Sequence, residues 1–309
     1  MCHMAYKARS VPEELKVLRI LNNRLDLTTE QQKYYQYKEK GFEGEARFDL
    51  LTEQLQSDCL IVNDLNLEVN NTSFQLDTSI IFQETFYFFE VKNYEGDYCY
   101  RKEQFETNYG KLIKNPLDQI KRSSSLLLQL FQKLGFSQSI DASVVFVNPE
   151  FFLYQAPLDK PIYYPTQLKQ LLKKLDNEPS KLTSRHAKLA DKLISLHQAQ
   201  SPYSNLKIPA YEYHQLRKDL TCSICHAFSC SVSLGNVVCL NCGHIECVES
   251  AVLRCVGEIR LLFPSMRITT NGIFEWSGSI ISKKQINRVL IKSFSRKGHG
   301  KYSYYVDKE

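Results

Sequence analysis

The chain has 309 residues, of which 43% are hydrophobic and 24% charged, with a formal net charge of +5. At roughly 100–200 residues per domain this length suits about two domains, and the composition excludes a wholly disordered chain. A mild positive charge is compatible with a nucleic-acid partner but does not establish one.

Residues 1–40 are polar and helix-compatible. A helix is expected from near Gly44 to about Gln56, followed by strands at 59–64, 74–82, 85–92 and 98–101, where branched and aromatic residues concentrate. Gln83-Glu84 suits a hairpin turn, although it lacks the usual glycine or asparagine. Asn115-Pro116 opens a long helix with an apolar face of Leu117, Ile120, Leu127, Phe131 and Leu134. Gly135 ends it, and 142–147 reads as a buried strand. Helix, strands, helix, strand is the order of an α/β layer fold. Residues 163–200 are amphipathic and helical with a break at Pro179, and Ser201-Pro202-Tyr203-Ser204 with Pro209 reads as a linker. A cysteine-rich segment starts at Thr221, then a helical run at 248–262. Helices are expected at 268–276 and 282–294, although Asn271-Gly272 also suits a hairpin turn. A turn at 296–300 leads into an aromatic strand, which is the order of a winged helix. The resulting division is an N-terminal extension (1–40), an α/β domain (41–150), a helical connector and linker (151–220), a zinc-binding module (221–250) and a basic tail (251–309).

Four features of the α/β domain carry chemistry. Glu45, in Gly41-Phe42-Glu43-Gly44-Glu45, shares a helix face with Phe48 and Leu55, where a carboxylate is costly unless paired or metal-bound. Asp77 lies mid-strand. Glu90 and Lys92 close an aromatic strand on one face, with Val91 turned away. Gln119 lies one turn into the helix after Asn115-Pro116. Together they suit metal-assisted phosphodiester hydrolysis. Magnesium takes hard oxygen ligands and keeps several waters, so Asp77, Glu90, Glu45 and the Val91 carbonyl suffice as donors. Lys92 would orient or help deprotonate the attacking water and offset charge on the phosphate.

In their order, Gly41–Glu45, Gln75–Asp77, Glu90-Val91-Lys92-Asn93 with Gly96, and Asn115-Pro116-Leu117-Asp118-Gln119 resemble the nuclease-related domain of the PD-(D/E)xK nuclease superfamily. The resemblance covers about 41–135. It implies a restriction-endonuclease-like mixed sheet flanked by helices, Mg2+ (or Mn2+) as cofactor, and Glu45, Asp77, Glu90, Lys92 and Gln119 as catalytic residues.

Of the ten cysteines, seven fall between Cys222 and Cys255. The start of the chain meets Glu13 and Glu14 rather than an apolar signal core, and no apolar run reaches the ~20 residues of a membrane span. A cytoplasmic protein with reduced thiols and no membrane partner is therefore expected. Cys222-x-x-Cys225 and Cys239-x-x-Cys242, with thirteen residues between, suit a structural zinc held by four thiolates and resemble a zinc ribbon. His226, Cys230, His244 and Cys247 lie near enough in sequence to replace one ligand. The tail carries Lys283, Lys284, Arg288, Lys292, Arg296, Lys297 and Lys301 and no acid between 280 and 305. Such a patch would neutralise DNA phosphates, with Lys284, Gln285 and Arg288 facing a major groove. The expected function is a metal-dependent deoxyribonuclease with a zinc and basic DNA-binding module; a non-catalytic DNA-binding protein on the same fold is the alternative. No motor motif is visible, so an ATP-driven step would need a partner. Oligomeric state is left open.

Overall fold

A computed structural model describes residues 4–198 and 208–308, apart from the side chain of Lys301. The expected linker at 201–204 lies outside the described residues. In chain order come α1 (Glu13–Arg24), α2 (Thr29–Thr52), β1 (Leu60–Val69), β2 (Thr72–Ile81), β3 (Thr85–Lys92), β4 (Gly96–Arg101), β5 (Gln104–Thr107) and β6 (Leu112–Ile113). They are followed by α3 (Pro116–Leu134), β7 (Ser139–Phe146), β8 (Phe151–Tyr154), β9 (Ile162–Tyr163), α4 (Leu168–Asp176) and α5 (Ser184–Ser195). The remainder is β10 (Cys230–Ser233), β11 (Asn236–Cys239), β12 (Ile245–Cys247), α6 (Val248–Leu262), α7 (Thr270–Trp276), α8 (Lys283–Ser293), β13 (Ser295–Lys297) and β14 (Tyr304–Val306). The chain divides into two units, one of Met1–Val11 with Gln36–Leu206 and the other of Pro12–Tyr35 with Lys207–Glu309.

The first unit is built on a five-stranded mixed sheet in the order β1-β2-β3-β7-β9. The first three strands form an antiparallel meander, while β3–β7 and β7–β9 are parallel. Side chains alternate across a strand, so β3 feeds both faces. Phe86 and Phe88 pack with Ile120, Leu127 and Phe131 of α3 and with Leu189 and Leu193 of α5. Tyr87, Phe89 and Val91 pack with Phe48 of α2 and with Leu168, Leu171 and Leu175 of α4. Helices therefore cover both faces of the sheet. A second sheet, β6-β5-β4-β8, adds four short strands. Of these only β4 was expected, because two- to four-residue strands such as β5, β6, β8 and β9 hold too few positions to show alternation.

Helix α3 begins and ends where the sequence placed it. The Asn115 side chain accepts from Leu117 N at 3.0 Å, Pro116 occupies the first turn, and Gly135 takes a φ of 75° at the C-cap. Helix α2 differs from expectation: it starts at Thr29, not near Gly44, and runs through both glycines to Thr52. Glycine costs about 1 kcal/mol in a helix, but at position 44 it answers a contact. A Cβ there would lie 2.4 Å from Asn93 Cβ, so only glycine lets the helix backbone approach the end of β3 this closely.

In the second unit α6, α7 and α8 are followed by the antiparallel pair β13–β14, and an isolated bridge joins Ile268 to Tyr305. This is the expected helix–helix–helix–wing order. Trp276, Ile273, Ile286, Leu290 and Val252 fill its core together with Val17 and Leu21 of α1. Asn271-Gly272 sits inside a helix because Thr269 caps it, accepting from Gly272 N at 3.0 Å. Among the described residues no helix is long and apolar enough to cross a membrane.

Candidate functional site

The β2–β3 ladder runs from Ile81↔Phe86 to Thr78↔Phe89 and stops there. The next amide that would need a partner, Val91 N, donates instead to Asp77 Oδ2 at 2.8 Å. The strands thus part at a carboxylate, which satisfies a backbone group the ladder has released. As the alternation required, Glu90 and Lys92 lie on the face of Phe86 and Phe88, under α3. Lys92 Nζ donates to Glu90 Oε1 at 2.6 Å, and Gln119 Nε2 reaches the same oxygen from the first turns of α3 at 2.8 Å. Asp77 and Glu90 are both only 6% exposed. Val91 enters the arrangement through its N–H, with its side chain in the opposite core.

A local break in β1 accompanies this fork. Asp64 has a φ of 53°, a left-handed conformation in mid-strand. Ile61 packs on one face of the sheet and Leu65 and Leu67 on the other, although all are odd-numbered, so the alternation reverses at Asp64. The same reversal occurs opposite it on β2, where Leu76 and Ile80 belong to different faces. Asp77 stands at this switch. Such strain, costing about 1–3 kcal/mol, gathers at functional sites.

Glu45 is close to this group but bonded elsewhere. Its Oε2 accepts from Arg9 Nη1 at 2.7 Å. Arg9 also holds Asp49, one turn further along α2, through Nε to Oδ2 at 2.8 Å and Nη2 to Oδ1 at 3.1 Å, and it donates to the Asp77 backbone carbonyl at 2.6 Å. Arg9, Asp49 and Asp64 escaped the sequence reading. Asp49 could have been found, since it follows Glu45 at the helical i+4 spacing. Nothing in the local sequence points from Arg9 to residues far along the chain.

The electrostatics follow from crowding. Burial pushes Asp77 well above the ordinary carboxylate range, and the charges of Glu90 and Glu45 push it further. Glu45 rises to about 6, again first by burial, with Arg9 pulling it back and Asp64 pushing it up. Burial alone would lower Lys92, but Glu90 and Asp77 outweigh it and hold its pKa above the ordinary value. Lys92 is therefore an ammonium at neutral pH, which supports charge stabilisation rather than proton abstraction.

Four carboxylates (Glu45, Asp49, Asp77, Glu90) meet two cations (Arg9, Lys92), which leaves two negative charges when all are ionised. An all-oxygen donor set with that excess fits one hard divalent ion in kind. The carboxylates do not converge as the cysteines do. Among the described residues the single group of metal-ligating atoms gathered within 4.8 Å of one another is Cys222, Cys225, Cys239 and Cys242.

These four thiols form a candidate zinc site. Cys222 Sγ lies 3.7 Å from Cys242 Sγ, and Cys225 Sγ 3.5 Å from Cys239 Sγ. Tetrahedral zinc with ~2.3 Å bonds requires edges of about 3.8 Å. Each knuckle closes alike: His226 N donates to Cys222 O at 3.2 Å, and Gly243 N to Cys239 O at 3.0 Å. Both residues take positive φ, 58° and 73°. His226 is thus a turn residue, the counterpart of Gly243. His244 lends its carbonyl to Cys239 N, Cys230 pairs with Cys239 across β10–β11, and Cys247 Sγ caps α6 by accepting from Ser250 N. None of the four joins the sulfur cluster. The thiols compete for charge: the Asn241 amide and the Ala227 backbone pull Cys225 down to about 6. At Cys242 a backbone hydrogen bond at His244 also pulls down, but the neighbouring thiols push it to about 12.

On α8 and the wing, Lys283, Lys284, Arg288, Lys292, Arg296 and Lys297 are exposed; the side chain of Lys301 lies outside what is described. Lys292 is paired with Glu249 of α6 at 2.7 and 2.8 Å. Gln285 is committed to the capping box with Ser282, so it does not project toward a groove.

A mixed sheet between helices bears an acid on one strand and Glu-x-Lys on the next, where the two part. Residues 40–147 match the family model of the nuclease-related domain, a span that contains Glu45, Asp77, Glu90, Lys92 and Gln119. No curated protein and no solved structure matches the chain.

Proposed function

We propose that the protein is a divalent-metal-dependent nuclease that hydrolyses DNA, with the zinc module and the basic α8–wing region gripping the substrate. The observation that supports this most is the connected set Asp77, Glu90, Lys92 and Gln119 at the fork of β2 and β3, inside the span that matches the nuclease-related domain. Asp77, Glu90 and Glu45 would hold Mg2+ or Mn2+, which when bound polarises a phosphate and lowers the pKa of its water. The Lys92 ammonium stabilises charge on the phosphate, and Gln119 fixes the Glu90 carboxylate from α3. Zinc has a structural role, and any ATP-driven step belongs to a separate partner.

A second reading, a DNA-binding protein that retains the fold without turnover, draws on Glu45 being bonded to Arg9 and Glu90 Oε1 already carrying two donors. Supercoiled, linear and branched DNA, each with Mg2+, Mn2+ or EDTA, separate the two. Metal-dependent cutting that is lost in Glu90→Ala/Lys92→Ala establishes the enzyme. A folded, zinc-loaded wild type that cuts none of them but binds DNA supports the second reading.

A further inference from the structure

Arg9 precedes the residues that match the nuclease-related domain. The segment that carries it runs beside β1, where Lys7 N donates to Ile61 O at 3.2 Å and Asn63 N to Lys7 O at 2.9 Å. Two residues later the Arg9 side chain is only 4% exposed. All three guanidinium nitrogens are used, on Glu45 and Asp49 of α2 and on the Asp77 carbonyl and Thr78 hydroxyl of β2. Thr78 Oγ1 in turn donates to Asp49 Oδ1 at 3.2 Å.

As a mere tie between helix and sheet this is an expensive choice, since buried ion pairs are often matched or bettered by apolar residues of similar volume. The choice makes sense beside the acid fork. The two-pronged bond to Asp49 fixes the guanidinium plane. That plane takes one oxygen of Glu45 and leaves the other, and it anchors the backbone of the residue whose carboxylate stands at the fork. Without Arg9 the cluster would hold three uncompensated negative charges rather than two.

We infer that Arg9 is a positioning residue of the acid site: held by Asp49, it orients Glu45 and Asp77 and sets the negative charge to that which one divalent cation neutralises. This rests on reading the acid cluster as a metal site. It extends the functional unit to the N-terminal segment, beyond the matched family span. Partners of this kind typically alter metal affinity 10–100-fold.

The test is Mn2+ binding by calorimetry on the full zinc-loaded chain, with circular dichroism as the check on folding. Arg9→Lys keeps the charge but cannot span Glu45, Asp49 and the Asp77 carbonyl together; it is expected to weaken Mn2+ binding at least about tenfold. Because Arg9 acts on Glu45 as well as on Asp77, Arg9→Lys is expected to weaken binding by a smaller factor in a Glu45→Gln background than in the wild type. Asp49→Asn, which frees the guanidinium from its other side, is expected to weaken binding in the same direction, and it serves where Arg9→Lys unfolds the chain. Unchanged or tighter Mn2+ binding in folded Arg9→Lys, with binding lost in Asp77→Asn, overturns the inference and leaves the metal site standing. No Mn2+ binding by wild type at the acid cluster overturns both.

Discussion

Replacing each of two glycines on α2 by alanine should have opposite effects on stability. Gly41 is exposed, and a Cβ added there meets nothing within 4 Å. Alanine is better than glycine in a helix by about 1 kcal/mol, so Gly41→Ala should stabilise by up to that amount. Gly44 is buried, and its Cβ would fall 2.4 Å from Asn93 Cβ and 3.0 Å from Asn93 Cγ. Carbon atoms pack at about 3.5–4.0 Å, so helix and strand must separate by roughly 1 Å. Asn93 cannot swing aside cheaply, because the clash falls on its Cβ and its Nδ2 donates to Lys40 O at 2.7 Å. Overpacking of this kind costs about 1–3 kcal/mol, which leaves a net loss of up to about 2 kcal/mol after the propensity gain. The two variants should therefore differ by about 1–3 kcal/mol in urea unfolding. Since Asn93 directly follows Lys92, Gly44→Ala should also impair any activity of the site, whereas Gly41→Ala should not. Equal stabilisation by both variants would refute the close approach of α2 to β3.

The remaining expectations concern charge and metal. Glu45 rises from 4.5 to about 6 in the folded chain, so the fold binds this proton more tightly than the unfolded state does. Its contribution is complete below pH 4.5 and is lost as pH rises through 6, a change of about 2 kcal/mol. Metal-free protein should lose stability across that window, and a slope that Glu45→Gln leaves unchanged would refute the assignment. Cys222→Ser or Cys242→Ser should release one equivalent of zinc and melt the surrounding module, whereas Cys230→Ser and Cys247→Ser should retain it; elemental analysis decides. Arg288→Ala and Lys284→Ala should each weaken DNA binding and lower the salt slope by about 1, with Lys292→Ala weaker in effect because Glu249 already neutralises it. Equal effects of all three would mean that α8 does not face the phosphates as supposed.

Much of the fold and half of the site were legible because their signals are local. The cap and stop of α3 are written in Asn115-Pro116 and Gly135, and period-two alternation on β3 puts Glu90 and Lys92 on one face. The cysteine spacing named the four sulfurs that meet. The short strands β5, β6, β8 and β9 were not legible, since runs of two to four residues are too short to show alternation. Helix α2 was expected to start only near Gly44 because propensity cannot see that Asn93 requires a glycine inside the helix.

The sequence by itself determined the chemistry on offer: which acids, which lysine, which thiols and which basic helix. These depend on residue type and on spacing within one element, and the backbone period turns spacing into a face. Tertiary structure alone decided how the groups are used. The packing of an N-terminal segment along β1 brings Arg9 onto Glu45 and Asp49, a pairing between segments far apart in the chain. The positive φ of Asp64 and the end of the β2–β3 ladder set Asp77 at a fork. Burial and like charge then raise its pKa, and these exist only once the chain has excluded water from that corner.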